Sequence, residues 1–81
     1  MMTIGDLIKK KRLENNISAR ELSRRSGVSQ PYLSQLETGK NDNPSLNAID
    51  KLSKGLGVTL LELLIDSGYI NESDVNKEKE G

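Results

Sequence analysis

The 81-residue chain has no Cys, His, Trp or Phe, and its 12 Lys and Arg are matched by 12 Asp and Glu. This length holds one small domain, and the missing residue types leave no zinc finger, thiol nucleophile, disulfide framework or Ser-His-Asp relay. No apolar run approaches the ~20 residues of a membrane span, and Met1-Met2-Thr3-Ile4 lacks the basic-then-apolar layout of a secretory signal, so a cytoplasmic protein is expected. Five helices are predicted. The first opens at Thr3, with Asp6 three residues on. Ile4, Leu7 and Ile8 follow the i, i+3, i+4 rhythm of an amphipathic helix, and Asn15-Asn16 stop it.

Ser18-Ala19-Arg20-Glu21 predicts a capping box that opens the second helix, the Ser18 hydroxyl meeting the Glu21 amide and the Glu21 side chain reaching back. Leu22 faces the core and Gly27 ends the segment. Val28 is a single apolar peg. Ser29 caps a third helix whose first turn holds Pro31 at no cost in hydrogen bonds. Leu33 and Leu36 share its inner face, and Gly39 stops it. After the polar stretch from Lys40 to Pro44, Ser45 caps a fourth helix with Leu46, Ile49, Leu52 and Leu56 as its apolar positions. Gly57 closes it. Thr59-Leu60-Leu61-Glu62 is a second predicted capping box, and the fifth helix ends near Ile65 or Asp66. From Asn71 the chain is polar, charged and without aromatics, which reads as a flexible tail. The division is a domain over 1–66 and an acidic tail or linker over 67–81.

The neutral total conceals a polar distribution of charge. Residues 9–40 hold eight basic against three acidic side chains, and residues 66–81 hold two against five. Such asymmetry accompanies nucleic-acid binding, although solvated helix faces produce it too. The second and third helices meet at a short Gly-containing turn, pinned by Leu22, Val28, Leu33 and Leu36. The outer face of the third helix is left with Gln30, Ser34 and Gln35 beside Pro31 and Tyr32. Short polar groups and amides suit a major groove, where Gln can bond adenine N6 and N7 together.

These residues, at these spacings, resemble the helix-turn-helix domain of phage repressors, Cro proteins and related bacterial regulators, the Xre-like family. The matching positions are Ile4-Gly5, Arg12, Ser18, Glu21-Leu22, Gly27-Val28-Ser29, Leu33, Leu36-Glu37, Gly39-Lys40, Asn43-Pro44-Ser45-Leu46 and Leu56-Gly57-Val58, within a match from Ile4 to Leu64. The resemblance implies an all-α, five-helix fold of the phage-repressor type. It also implies dimers on palindromic double-stranded DNA, with half-sites about one helical turn, roughly 34 Å, apart. Carried over by position, Gln30 and Gln35 read bases, with Pro31 and Ser34 as lesser contacts. Ser18, Ser29, Thr38, Lys40, Asn41 and Asn43 meet the DNA backbone, which sets register without reading sequence. Tyr32 touches DNA or packs inside. Arg12 and Glu37 form a structural ion pair that joins the first helix to the third. Two departures stand out. Ala19 replaces the Gln that many relatives carry, leaving Arg20 as a substitute backbone contact. Lys11 replaces a Leu, with its stem along apolar surface, its ammonium in water and nearby Leu13 offsetting the loss.

In the fifth helix Leu60, Leu63 and Leu64 suffice for the core. Leu61 and Ile65 then face outward, as a dimer contact or beneath a folded-back Tyr69-Ile70. The reading is a sequence-specific transcriptional regulator, a repressor acting as a homodimer. Its rival is a protein-interaction module on the same scaffold, such as an antitoxin-like subunit. An enzyme is not expected: Asp6 and Asp50 are scattered carboxylates on solvated faces, Ser29 has no base, and Gly55-Leu56-Gly57 opens no phosphate loop. No metal or other cofactor is expected either.

Overall fold

The computed structural model describes residues 3–67. Five helices follow in order: α1 (Ile4–Glu14), α2 (Ala19–Ser26), α3 (Gln30–Thr38), α4 (Leu46–Leu56) and α5 (Leu60–Ser67). Among the described residues there is no strand, and no helix is long and apolar enough to cross a membrane. The tail expected beyond Ser67, with the cover by Tyr69-Ile70, lies outside the described residues.

One local device recurs at the helix starts. Thr3, Ser18, Ser29 and Ser45 each precede a helix in extended backbone and accept from an amide three residues on. Thr59 does the same for the Glu62 amide at 3.0 Å. Each such bond satisfies one of the donors that a helix start leaves open. The residue before the cap is apolar and packs inward, as is the fourth helical residue after it: Ile17 with Leu22, Val28 with Leu33, Pro44 with Ile49, Val58 with Leu63. These are the positions of a hydrophobic staple, which fixes the angle at which the chain enters a helix. At the other ends, Gly27, Gly39 and Gly57 take left-handed backbone, which costs glycine nothing.

α2 packs on α4 and α3; α1 packs on α3, α5 and α4; α4 packs on α5. Ile8, Leu22, Leu33, Leu36, Leu52 and Leu63 are the most deeply buried apolar side chains of the single core. Two glycines allow the helices to approach. A Cβ on Gly5 would overlap the Leu36 carbonyl, so α1 lies directly against the backbone of α3. A Cβ on Gly55 would stand 2.9 Å from Leu22 Cδ1 and 3.1 Å from Ser26 Cβ, which sets the α2–α4 contact.

Several sequence expectations are corrected. Leu46 is not a core position but 60% exposed. Ser53, seven residues on and almost in line with it on the helix, is buried, so that stripe of α4 is covered at its C-terminal end and open at its start. Leu13 is 56% exposed and offsets nothing. Lys11 Nζ also has a partner that the sequence reading does not supply, Asp66 Oδ2 at 3.4 Å, which ties α1 to the last turn of α5. Ile65 is half-buried rather than outward, whereas Leu61 is 45% exposed.

Candidate nucleic-acid interface

At about 100° per residue, α3 divides cleanly. Gln30, Ser34, Thr38, Pro31 and Gln35 fall within an arc of about 140°, and all five are exposed. The remaining arc holds Tyr32, Leu33, Leu36 and Glu37, which are buried or half-buried. The side-chain amides of Gln30 and Gln35 make no hydrogen bond within the described residues. Gln30 and Ser34 are one turn apart, as are Pro31 and Gln35, so the exposed arc is two short columns, polar except for Pro31. Side chains of this size permit close approach to base edges.

The inner face is fixed by a closed polar contact. Arg12 Nε donates to Glu37 Oε2 and Nη2 to Oε1, both at 2.9 Å, while Nη1 donates to the Ile17 carbonyl at 2.9 Å. The two side chains are only 11% and 9% exposed. Hydrogen bonding to Glu37 raises the Arg12 pKa above its ordinary value against the opposing effect of burial, with charge attraction to Glu37 adding to the rise. A bidentate fork also fixes direction, so α1, the α1–α2 turn and α3 are locked in one pose. The Ile17 carbonyl is a partner that sequence reasoning misses, because a backbone acceptor leaves no trace in residue type.

Tyr32 is half-buried, and its phenol oxygen accepts from the Ser45 amide at 3.4 Å. It therefore bridges the start of α3 to the start of α4, where Ala48 stands three residues after the cap and has no side chain to return the bond. The remaining candidates form a rim. Ser18, Arg20, Ser29, Thr38, Lys40 and Asn43 are exposed and Asn41 is half-buried. Their chemistry differs. Ser18 and Ser29 use lone pairs as caps and keep their hydroxyl protons free to donate. Thr38 commits its proton to the Ser34 carbonyl at 2.9 Å, so it is a poor donor to a phosphate as it stands. Asn41 accepts from the Asn43 amide at 3.0 Å and retains its own NH2.

The expected capping box of α2 is only half formed. The Glu21 amide donates to Ser18 Oγ at 3.0 Å, but the Glu21 carboxylate does not return to the Ser18 amide. It holds Arg24 instead, at 2.8 Å to Nε and 2.7 Å to Nη2, with Arg25 Nε at 3.6 Å. In α1 the reciprocal box is complete, Thr3 N donating to Asp6 Oδ2 at 3.1 Å. Asp6 has lysines, Lys9 and Lys10, at i+3 and i+4, and neither pairs with it among the described residues. The Arg24 hydrogen bond, followed by attraction to Arg24 and Arg25, takes the Glu21 carboxyl below its ordinary pKa and raises that of Arg24.

Comparison with known proteins agrees with this geometry. The family model described as helix-turn-helix matches residues 8–63. An uncharacterized HTH-type transcriptional regulator of Mycobacterium tuberculosis is 35% identical over 76 residues, covering 94% of this chain and 54% of that protein. The HTH-type transcriptional regulator SinR of Bacillus subtilis is 37% identical over 79 residues, covering 94% of this chain and 71% of SinR. A solved structure of the SinR protein/SinI protein complex superposes with a TM-score of 0.72 at 30% identity, over 96% of this chain and 77% of that one. The chain thus spans about half the length of the mycobacterial relative. Its exposed α3 edge, its two-helix turn and these matches place the chain in the Xre-like, Cro/C1-type helix-turn-helix family of DNA-binding transcription regulators.

Proposed function

We propose that this chain is a sequence-specific repressor that binds a palindromic operator as a homodimer in the cytoplasm, with residues 1–66 as the binding unit. The exposed arc of α3 enters the major groove of each half-site. Gln30 and Gln35 read base edges, Pro31 and Ser34 make close secondary contacts, and Ser18, Arg20, Ser29, Tyr32, Lys40, Asn41 and Asn43 hold the backbone, with Thr38 the weakest of the set. The observation that carries this reading is the pair of exposed glutamine amides without partners among the described residues, on a helix whose opposite face is locked. Repression follows by occlusion, since a bound dimer covers promoter DNA.

The dimer contact is assigned to Leu61 with its i+4 neighbour Ile65, because Leu61 is a large apolar side chain left in water on α5. A protein partner at the same helix is the second reading, favoured by the likeness to a regulator solved as a complex with another protein.

The test is a random-site selection with the purified chain, repeated for Gln30→Ala and Gln35→Ala. Each substitution should cost about 1–3 kcal/mol on the preferred site and relax sequence choice at one position per half-site. An unaltered selection profile for both variants overturns the assignment. Sedimentation with and without the selected duplex, for the parent and Leu61→Glu, reads the dimer.

A further inference from the structure

Among the described residues two contacts join an arginine fork to a glutamate, and they differ in kind. Arg12–Glu37 is enclosed and has its third donor engaged by a carbonyl. Arg24–Glu21 lies in the open, the Arg24 side chain being 72% exposed and that of Glu21 28%. Water and salt weaken a pair so exposed, and its partners exchange readily. α2 carries three arginines and one carboxylate within six residues, Arg20 to Arg25. Arg20 has no ion-pair partner among the described residues, and Arg24 lies one turn beyond it on the same outer ridge. Four residues of helix separate them by about 6 Å along the axis. The carboxylate between them has abandoned the Ser18 amide for the guanidinium. A phosphate offers the same planar fork the same kind of acceptor, with more charge and several oxygens.

We propose that Arg24 is a further DNA-backbone contact, held in reserve by Glu21, so that binding exchanges the carboxylate for a phosphate next to the one met by Arg20. This rests on the DNA-binding reading above and extends it. Glu21 then acts as a positioning residue and as an internal competitor: it keeps the Arg24 guanidinium extended along the ridge, and it subtracts from affinity for all duplexes alike. DNA is favoured over an acidic protein as the occupant because Ser18, the N-cap of α2, and α3, the next element packed on it, belong to the same proposed footprint. An acidic protein segment is the outcome to expect if the DNA arms below show nothing.

The experiment measures binding to the top duplex from the random-site selection and to an unrelated 30-base-pair duplex, by fluorescence anisotropy between 50 and 200 mM salt. Four proteins are compared: the parent, Glu21→Gln, Arg24→Gln and the double variant. Each phosphate contact adds about 0.9 to the salt slope, or roughly three- to fourfold in affinity across that salt range. Glu21→Gln should bind both duplexes several-fold more tightly at 50 mM salt, with a slope steeper by up to about 1. The gain should vanish in the double variant. If Glu21→Gln matches the parent in affinity and slope, or its gain survives removal of Arg24, the proposal is overturned. The second result would mean simple relief of charge repulsion. These outcomes are independent of the base-reading test: a parent that binds no duplex refutes the DNA reading itself, whereas a parent that binds and a silent Glu21→Gln refute only the exchange. Circular dichroism of all four proteins, expected to coincide, confirms that the ridge alone has changed.

Discussion

Replacing Glu37 by Gln is the sharpest test of how the recognition helix is held. The side chains have the same shape, but the amide presents one acceptor and one NH2 where the guanidinium needs two acceptors. One of the two 2.9 Å bonds from Arg12 becomes a meeting of donors, and the cation loses its counter-charge with its side chain only 11% exposed. Removing one partner of a buried pair costs about 3–5 kcal/mol. The remaining exposure and the surviving bond to the Ile17 carbonyl place the value near the lower end, about 3 kcal/mol. Domains of this size stand only about 5 kcal/mol above unfolding, and each kcal/mol moves the melting temperature by about 4–8 °C. Urea unfolding followed by circular dichroism should therefore show a much lower midpoint at an unchanged slope. Arg12→Met/Glu37→Leu should lose less than either single change, because no charge is left stranded. A loss under about 1 kcal/mol for Glu37→Gln, with additive single and double changes, would show that the contact behaves as an ordinary surface pair and that α3 is held by its apolar face alone.

Three other outcomes follow from the packing and the charges. Gly5→Ala should cost at least about 3 kcal/mol, the severe end of overpacking, because its Cβ collides with the Leu36 backbone; Gly39→Ala meets open space at φ +83° and should cost only about 1–2 kcal/mol. Equal losses in thermal melts would contradict the close α1–α3 approach. Lys11→Leu should raise stability by up to about 1 kcal/mol, since an exposed ion pair is worth little and α1 faces the apolar helix α5 at that point. The stability contributed by Glu21 has a pH signature: its carboxyl is depressed in the folded state, so the contribution is complete above the ordinary value near 4.3 and is lost as pH falls through the lower folded value. The melting temperatures of the parent and Glu21→Gln should converge as pH drops below about 4; a gap that stays constant down to pH 2 excludes the pairing.

The helices and their order were legible because their punctuation is chemical: Ser or Thr caps in front, glycine behind, and a polar outer face. Three residues carry structural signals beyond that punctuation, two of them, Gly5 and Pro44, also positions of the family resemblance. Ile17 sits directly before a cap, which is where a staple residue belongs. Gly5 lies inside a helix, where glycine costs roughly 0.5–1 kcal/mol relative to Ala and so marks a neighbour that leaves no room for a methyl group. Pro44 holds the same pre-cap place as Ile17. Leu46 misled because periodicity gives an angle and not a depth. Leu46 and Ser53 are seven residues apart and nearly aligned, yet only Ser53 is covered. The Lys11–Asp66 contact joins helices 55 positions apart in sequence, and its existence depends on a crossing that no local pattern encodes.

The two capping motifs show where reading from residue types gives out within the site itself. Thr3-x-x-Asp6 and Ser18-x-x-Glu21 carry the same signature, and a rule based on spacing treats them alike. The first closes into a reciprocal box, and the second sends its carboxylate forward to Arg24. A backbone amide and a guanidinium compete for one anion. The guanidinium brings a full charge and two parallel donors, and the longer Glu side chain lets it reach one turn ahead, where Asp6 finds no such partner. In α2 the carboxylate goes to a residue outside the motif, whereas Thr59-x-x-Glu62 stays half closed with no cation at i+3 or i+4 beyond the carboxylate, the Glu62 amide donating to Thr59 Oγ1 at 3.0 Å without a return bond among the described residues. The Glu21–Arg24 pairing sets the chemistry of α2. Among the described residues the Ser18 amide is left open at the helix start, Arg20 stands unpaired beside it, and a second guanidinium waits one turn further along, tied only to a carboxylate that water can reach.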